Sequence, residues 1–329
     1  MGMLIKGKLV DGWLDKEIDQ GDFKRMESTF RDWVTVDGDP GPAGEGGFKA
    51  EPDRYHLYVS KACPWAHRTI IFRKLKKLEN VIGLSIVEAH MLDQGWTFAE
   101  QGLYIDHLYG YRFLHELYTR TDSEFTGQIT VPVLWDKKRN TIVNNESSEI
   151  IRMLNSAFSA FTDVKTDFYP QAMRQQIDVI NCPIYDNINN GVYRCGFART
   201  QAYYEKAFDR LFSELQNVET ILSKQRYLLG SQLTEADWRL FTTLIRFDAV
   251  YVGHFKCNLK RISDYPNLSN YLRELYQIPG IAETVDIDYI KQHYYYSHVS
   301  VNPMQLVPRG PTLDFDSKHD RAEKFNIKL

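Results

Sequence analysis

The sequence predicts an α/β domain followed by an all-α domain, and three observations carry that prediction. A lone cysteine, Cys63, stands between a strand-like stretch and a basic helical stretch. Strand and helix patterns alternate around it. From about Ala160 onward, apolar residues recur at three- and four-residue spacing, the period of a helix face. A chain of 329 residues is long enough for two separate cores. The expected boundaries are an N-terminal arm over 1–50, an α/β domain over 51–158, and a helical domain with an extended tail over 159–329.

The arm is polar and becomes glycine-rich over Asp37-Gly38-Asp39-Pro40-Gly41-Pro42-Ala43-Gly44-Glu45-Gly46-Gly47. It reads as a loop laid over the first domain, with local helix near Trp13–Phe30. Trp13, Phe23, Phe30 and Trp33 argue that part of it is packed. Residues 54–59 read as a strand, 64–78 as a helix, and 81–87 as a second strand. An aromatic-rich excursion spans 90–127. Strands over 129–136 and 141–143 flank a turn at 137–140, and a helix follows over 147–158.

The order βαβ, insertion, ββα is the thioredoxin-like plan. In that plan the loop before the third strand carries a cis-proline whose preceding backbone faces the reactive thiol. Val131-Pro132 stands at that point, and proline is tolerated at the start of a strand. In the second half, helices are expected over 169–188, 200–223, 234–250 and 267–276. Thr234-Glu235-Ala236-Asp237 has the form of a capping box before an apolar run. The tail over 300–329 has little periodicity and is expected to lie extended over the surface. There is no internal repeat.

Composition narrows the function classes. A net charge of −3 and a pI near 6.3 give no pull toward nucleic acid or acidic membranes. The basic stretch with Arg73, Lys74, Lys76 and Lys77 reads as a solvated helix face. No apolar run approaches a bilayer span, and the residues after Met1 lack the apolar core of a signal peptide. Lys6 is not the hydroxyl residue that a Met1-Gly2 myristoylation motif requires. Four cysteines without framework spacing fit a reducing compartment, so the cytoplasm is expected.

Cys63 falls where a strand hands over to a helix, with Pro64 suited to the first helical turn. The positive end of the helix dipole there favours thiolate over thiol. Ala66, three residues on, excludes a Cys-x-x-Cys dithiol, so the second thiol has to come from a small molecule, for which glutathione is the obvious candidate. The alternative, a small buried hydrophobe, suits Cys182 better. That residue also precedes a proline, Pro183, but lies inside a helical run with no strand before it.

Cys63-x3-His67 and His254-x2-Cys257 are zinc-ligand types without the knuckle context such sites need, so no metal is expected. His67, one turn down the same helix, is badly placed to reach the sulfur and reads as a structural residue. Asn144-Asn145-Glu146-Ser147-Ser148-Glu149 opens a helix, with Asn145 or Ser147 as the expected cap. A helix start bearing Glu-Ser also suits an α-carboxylate beside an ammonium, the γ-glutamyl end of glutathione. Tyr193, Tyr203, Tyr204, Tyr251, Tyr289, Tyr294, Tyr295 and Tyr296 all fall in the helical half. Packing is the ordinary role of each, although a phenol near a thiolate can donate a hydrogen bond or a proton.

These segments together resemble the glutathionyl-hydroquinone reductases, the Xi class of the glutathione transferase superfamily. The resemblance rests on Gly46-Gly47-Phe48-Lys49-Ala50-Glu51-Pro52-Asp53-Arg54-Tyr55-His56-Leu57-Tyr58 leading into Cys63-Pro64-Trp65-Ala66-His67-Arg68. Gly95-Trp96-Thr97-Phe98, Thr130-Val131-Pro132, the 143–152 segment, Asn190-Gly191-Val192-Tyr193-Arg194 and His293-Tyr294-Tyr295-Tyr296-Ser297-His298 extend it over nearly the whole chain. It implies the glutathione transferase fold and a homodimer.

The resemblance also implies residue roles. Cys63 would attack the sulfur of a glutathionyl-hydroquinone, Tyr193 would protonate the departing carbon, and Tyr251 and Tyr294 would assist the thiolate. Trp96, the backbone around Gln128, Ile129, Thr130 and Val131, and Glu146 with Ser147 would hold glutathione, the co-substrate. Cys195 departs from the small residue expected after Tyr193-Arg194 and is a candidate second redox-sensitive thiol. The competing readings are an omega-like glutathione thiol transferase or dehydroascorbate reductase using the same cysteine, and a non-catalytic interaction module on the same fold.

Overall fold

A computed structural model describes residues 2–10, 18–19 and 21–325. The chain divides into two compact units. The first takes the described part of Met1–Glu17 and Met26–Thr166; the second takes Ile18–Arg25 and the described part of Asp167–Leu329.

The first unit is built on a four-stranded mixed sheet in which the strand over 55–59 lies between those over 83–86 and 133–136, with the strand over 141–144 beyond the latter. Strands β5 (Tyr55–Val59) and β6 (Gly83–Ile86) run parallel, while β8 (Val133–Asp136) and β9 (Thr141–Asn144) are antiparallel. A parallel pair needs a crossover, and helix α1 (Pro64–Leu75) supplies it. Every residue of β5 and β8 is buried, as befits central strands covered on both faces. A second sheet joins β1 (Met3–Ile5), β2 (Lys8–Val10) and β7 (Gly127–Gln128).

The aromatic excursion is a built structure. Asp106, buried, accepts hydrogen bonds from the amides of Leu108, Tyr109 and Tyr111 and from the Tyr58 hydroxyl. It leads into α2 (His115–Thr121), a short helix that the sequence pattern did not reveal. Helix α3 (Ser147–Ser156) closes the unit, burying Ile150, Ile151, Met153 and Leu154.

Between Gly21 and Phe30 no residue is helical, contrary to the helix expected near Trp13–Phe30; Trp13 itself lies outside the described residues. Instead β3 (Ile18–Asp19) and β4 (Asp22–Phe23) form a small hairpin belonging to the second unit. Gly21 makes the turn possible. Its φ is +96°, and a Cβ there would meet Thr200 at 3.1 Å and Tyr203 at 3.3 Å. Phe23 is fully packed, Phe30 stacks against Phe125 in the first unit, and Trp33 is half-buried.

The second unit is helical. Helix α4 (Arg174–Pro183) gives way to a π-helical segment over Ile184–Asn189, the point at which Pro183 withholds an N–H from the α pattern. Then come α5 (Gly191–Phe197) and α6 (Gln201–Lys224). Helix α7 (Glu235–Arg246) continues into a second π segment, Phe247–Tyr251. Helix α8 (Pro266–Tyr276) is followed by α9 (Ile287–Lys291), which runs into a third π segment, Gln292–Tyr296.

The capping box read from the sequence is present. Asp237 accepts from the Thr234 amide at 2.8 Å and its hydroxyl at 3.1 Å. It also accepts from the Leu228 amide and the Tyr271 hydroxyl, so a fully buried carboxylate holds three segments together.

The tail is mostly irregular, as expected, but it ends in a short helical turn, α10 (Arg321–Lys324). Arg321 is completely buried and donates to the carbonyls of Leu222, Gln225 and Arg226. Leu222 lies in the last turn of α6 and Gln225 is its cap, the end of a helix where carbonyls have no intrahelical donor. No described helix is long and apolar enough to cross a membrane.

Candidate active site

In the first unit the site is made of backbone. Cys63 is the N-cap of α1, with extended dihedrals, no side-chain cap bond, Pro64 in the first turn and no acidic residue there to oppose a thiolate. Its thiol donates to the Val131 carbonyl at 3.6 Å, and the Val131–Pro132 bond is cis. The strand that delivers Cys63 and the loop that delivers Val131 are neighbours because β5 pairs with β8.

The loop carrying Gln128, Ile129, Thr130 and Val131 is held from behind. The Tyr118 hydroxyl donates to the Thr130 carbonyl at 2.8 Å and accepts from its amide at 3.1 Å. Asn145 donates to the Thr130 hydroxyl, and its backbone and side chain bracket Phe30. Gln128 is buried, and its side-chain amide nitrogen has no hydrogen-bond partner among the described residues. Trp96 is buried in the adjoining excursion, its carbonyl accepting from the Leu114 amide.

Helix α3 is capped by Glu146, not by Asn145 or Ser147 as the sequence suggested. The Glu146 carboxylate accepts from the Ser148 amide at 2.9 Å and from its hydroxyl at 2.8 Å, and Ser28 donates to the other oxygen at 3.1 Å. Asn144 is spent one step earlier, accepting from the Glu146 amide at 2.7 Å. Burial pushes the Glu146 carboxyl up, but the Ser148 bonds, the Arg68 charge and Ser28 outweigh it and hold it below the usual carboxylate range. Ser147 is buried, with the Arg68 guanidinium 3.4 Å from its hydroxyl. His67, within α1, is fully buried, which fits the structural role read for it.

In the second unit the site is made of side chains. The hydroxyls of Tyr193 and Tyr294 lie 2.6 Å apart, and those of Tyr251 and Tyr294 3.0 Å apart, so Tyr294 links the other two. Tyr251 and Tyr294 are almost completely buried and Tyr193 slightly less so. Burial above all, with the neighbouring Tyr193, raises the phenols of Tyr251 and Tyr294 well above their usual range, against the opposing charge of Arg246. Both are therefore protonated at neutral pH.

Tyr251 ends the second π segment, Tyr294 is central in the third, and Tyr193 follows the first within α5. π turns recur at functional sites because they re-aim side chains out of helical register. Phe23 and Arg25 lie against the Tyr193 ring, at 6.2 Å between centroids and 4.8 Å from guanidinium to centroid respectively. No sequence motif marked either residue for this position.

Of the remaining tyrosines, Tyr289 is buried, Tyr204 donates to the Lys256 carbonyl, and Tyr295 to that of Ala249. His254 and His298 face each other at 3.2 Å, and the His298 ring lies 5.2 Å from that of Tyr294. Burial lowers His254 to about 4 and His298 well below its usual range.

Two cysteine readings change. Cys182, expected to pack, is exposed, because Ile177, Asn181 and Ile184 take the inner face of that turn while its thiol donates to the Asp178 carbonyl. Cys195, a candidate redox-sensitive thiol, is buried with Cys257, whose thiol burial and the adjacent Cys195 push well above its usual range. Inert burial suits neither oxidation nor nucleophilic use. Among the described residues no group of three or more His, Cys, Asp or Glu gathers as a metal-ligand set.

Residues 62–157 match the glutathione S-transferase N-terminal domain and residues 201–274 its C-terminal domain, which defines the class. Within it, the chain is 54% identical to the glutathionyl-hydroquinone reductase YqjG of Escherichia coli, across 99% of this chain and all of that one. The glutathione-bound structure of YqjG superposes with a TM-score of 0.91 at 52% identity, covering 98% of this chain and 100% of that one. The glutathionyl-hydroquinone reductase PcpF of Sphingobium chlorophenolicum is 49% identical over 94% of this chain and 96% of its own length. A Xi class transferase from Natrialba magadii gives a TM-score of 0.91 at 47% identity, covering 98% of each chain. The chain belongs to the Xi class of glutathione transferases, the glutathionyl-hydroquinone reductases.

Proposed function

We propose that this enzyme uses glutathione to reduce glutathionyl-hydroquinones to hydroquinones, with Cys63 as nucleophile. The Cys63 thiolate attacks the glutathionyl sulfur, forming a mixed disulfide as the carbon–sulfur bond breaks. The electron pair passes to the ring carbon, which takes a proton from Tyr193 and leaves as hydroquinone. A second glutathione, as its thiolate, attacks the glutathionyl sulfur of the mixed disulfide. Oxidised glutathione departs and the Cys63 thiolate is restored.

The observation that carries this reading is the hydrogen-bonded set Tyr193–Tyr294–Tyr251, a chain of phenols of a kind that simple thiol–disulfide exchange does not need. Tyr251 and Tyr294 replenish the Tyr193 proton and, in the same proposal, support the thiolate. The competing omega-like thiol transferase or dehydroascorbate reductase leaves them without a task, and a non-catalytic module leaves Cys63 without one.

Glutathione is held, in this reading, by Trp96, by the backbone of Gln128, Ile129, Thr130 and Val131, and by Glu146 with Ser147. Glu146 stays ionised and so suits the γ-glutamyl ammonium, while the start of α3 suits its carboxylate. The partnerless Gln128 amide is a donor that a ligand's carbonyl would satisfy. A cytoplasmic homodimer is part of the proposal, supported by four free cysteines and by the family; sedimentation at micromolar concentration tests the stoichiometry. For the chemistry, intact-protein mass spectrometry should find one glutathionyl group on Cys63 after one turnover without added glutathione. A Cys63→Ala protein that still reduces the adduct would overturn the assignment.

A further inference from the structure

We propose that Arg25, on the hairpin segment that joins the helical unit, is a positioning residue for proton donation by Tyr193, stabilising the negative charge that develops on the phenol as its proton leaves. This inference rests on the proposed role of Tyr193 and adds to it a residue that lies 165 positions away in sequence from Asn190, its hydrogen-bond partner.

Three contacts fix the arrangement. The Arg25 guanidinium lies over the Tyr193 ring at 4.8 Å and over the Phe23 ring at 5.3 Å. Its Nε donates to the Asn190 side-chain carbonyl at 3.0 Å, anchoring it to the residue just before α5. Phe23, buried, stacks on Tyr193 with an interplanar angle of 25°. The Gly21 carbonyl accepts from the Arg199 amide at 3.1 Å, tying the hairpin turn to the end of α5.

A cation over an aromatic face is attracted by the ring's quadrupole, and the attraction strengthens as the ring gains electron density. A phenol losing its proton gains that density. The charge on Arg25 therefore interacts more strongly with the transition state than with the resting phenol, which is the condition for accelerating a step. The Tyr193 hydroxyl itself is hydrogen-bonded to Tyr294, which does not supply charge.

The test compares two reactions of the same enzyme. One is reduction of the glutathione adduct of 1,4-benzohydroquinone, which needs a proton on carbon. The other is exchange with the mixed disulfide of glutathione and 2-mercaptoethanol, which does not. Arg25→Gln should lower kcat on the adduct roughly tenfold, the scale of a desolvated cation–π contact, and leave disulfide exchange within about twofold. Arg25→Lys should restore most of the loss, and Arg25→Gln should add nothing in a Tyr193→Phe background. A loss shared equally by both reactions and not rescued by lysine would make Arg25 merely structural and overturn the inference. So would an unchanged kcat in Arg25→Gln alongside a slowed Tyr193→Phe. An unaffected Tyr193→Phe enzyme would instead remove the role of Tyr193 itself, and the inference with it.

Discussion

The two units build their chemistry from different materials. In the first, Cys63, Val131 and the start of α3 are placed by backbone: a helix beginning, a loop before a strand, a second helix beginning. In the second, three phenols from separate helical stretches meet through their hydroxyls, and Tyr193 and Tyr294 lie 101 residues apart. Backbone devices leave compact sequence signatures. Side-chain clusters assembled across a helical bundle do not, because a tyrosine that packs and a tyrosine that donates a proton look alike in a chain. The first unit should therefore govern whether sulfur chemistry occurs at all, and the second which bond it breaks.

The largest expected effect tests the first half of that division. Cys63→Ser should lower both adduct reduction and disulfide exchange by on the order of 10³-fold or more, since a serine hydroxyl is a far weaker nucleophile toward sulfur than a thiolate. Steady-state assays of both reactions read it directly.

Tyr193→Phe tests the other half. Loss of a general acid is expected to slow adduct reduction about 10²-fold while disulfide exchange stays near wild type. If both fall together, the contrast between the units collapses.

Stability offers a smaller effect. Asp237→Ala should cost about 3 kcal/mol in the urea denaturation of the helical unit. It removes a buried carboxylate and strands the Thr234 and Leu228 amides and the Tyr271 hydroxyl.

The smallest prediction concerns pH. Burial lowers His56 in the first unit and His254 in the second to about 4, from an ordinary value of 6.5. The unfolded chain binds protons that the native histidines refuse, so stability is full above about pH 6.5 and falls as pH drops toward 4. Each histidine contributes a slope of at most about 1.4 kcal/mol per pH unit in that window. Urea midpoints at pH 7.5 and 5.0 should differ less in His254→Asn than in wild type.

Much of this architecture was legible beforehand, for reasons visible at particular residues. Cys63-Pro64 between strand and helix, Val131-Pro132 before a strand, and Thr234-x-x-Asp237 before an apolar run are local patterns with local causes, and each appears as read. The cap of α3 differs from the residues the sequence points to because Asn144, Asn145, Glu146 and Ser147 can all cap, and only tertiary partners such as Ser28 choose among them. Cys182 reads as a packed residue yet is exposed, because a helical run does not announce which of its faces meets solvent. The tyrosines stand out in the sequence by type and by family likeness, but their shared hydrogen bonds do not, and Arg25 carries no signal there. The helix expected near Trp13–Phe30 gave way, over its described part, to a hairpin set by Gly21, whose left-handed turn no apolar periodicity encodes.

The three π segments carry a further consequence, one of angular phase. Each residue of an α-helix advances the side chain by about 100°, and a π turn accommodates an extra residue that shifts everything after it by that angle. Tyr193, Tyr251 and Tyr294 each lie in or just after such a turn. Their aim is thus set by how many residues the helix holds, and not only by which residues those are. Deleting one of the four residues before Tyr251 in the segment Phe247–Tyr251 would leave every phenol in the chain and still swing Tyr251 by about 100° away from its neighbours. In this protein the length of a helical stretch sets where its phenol points.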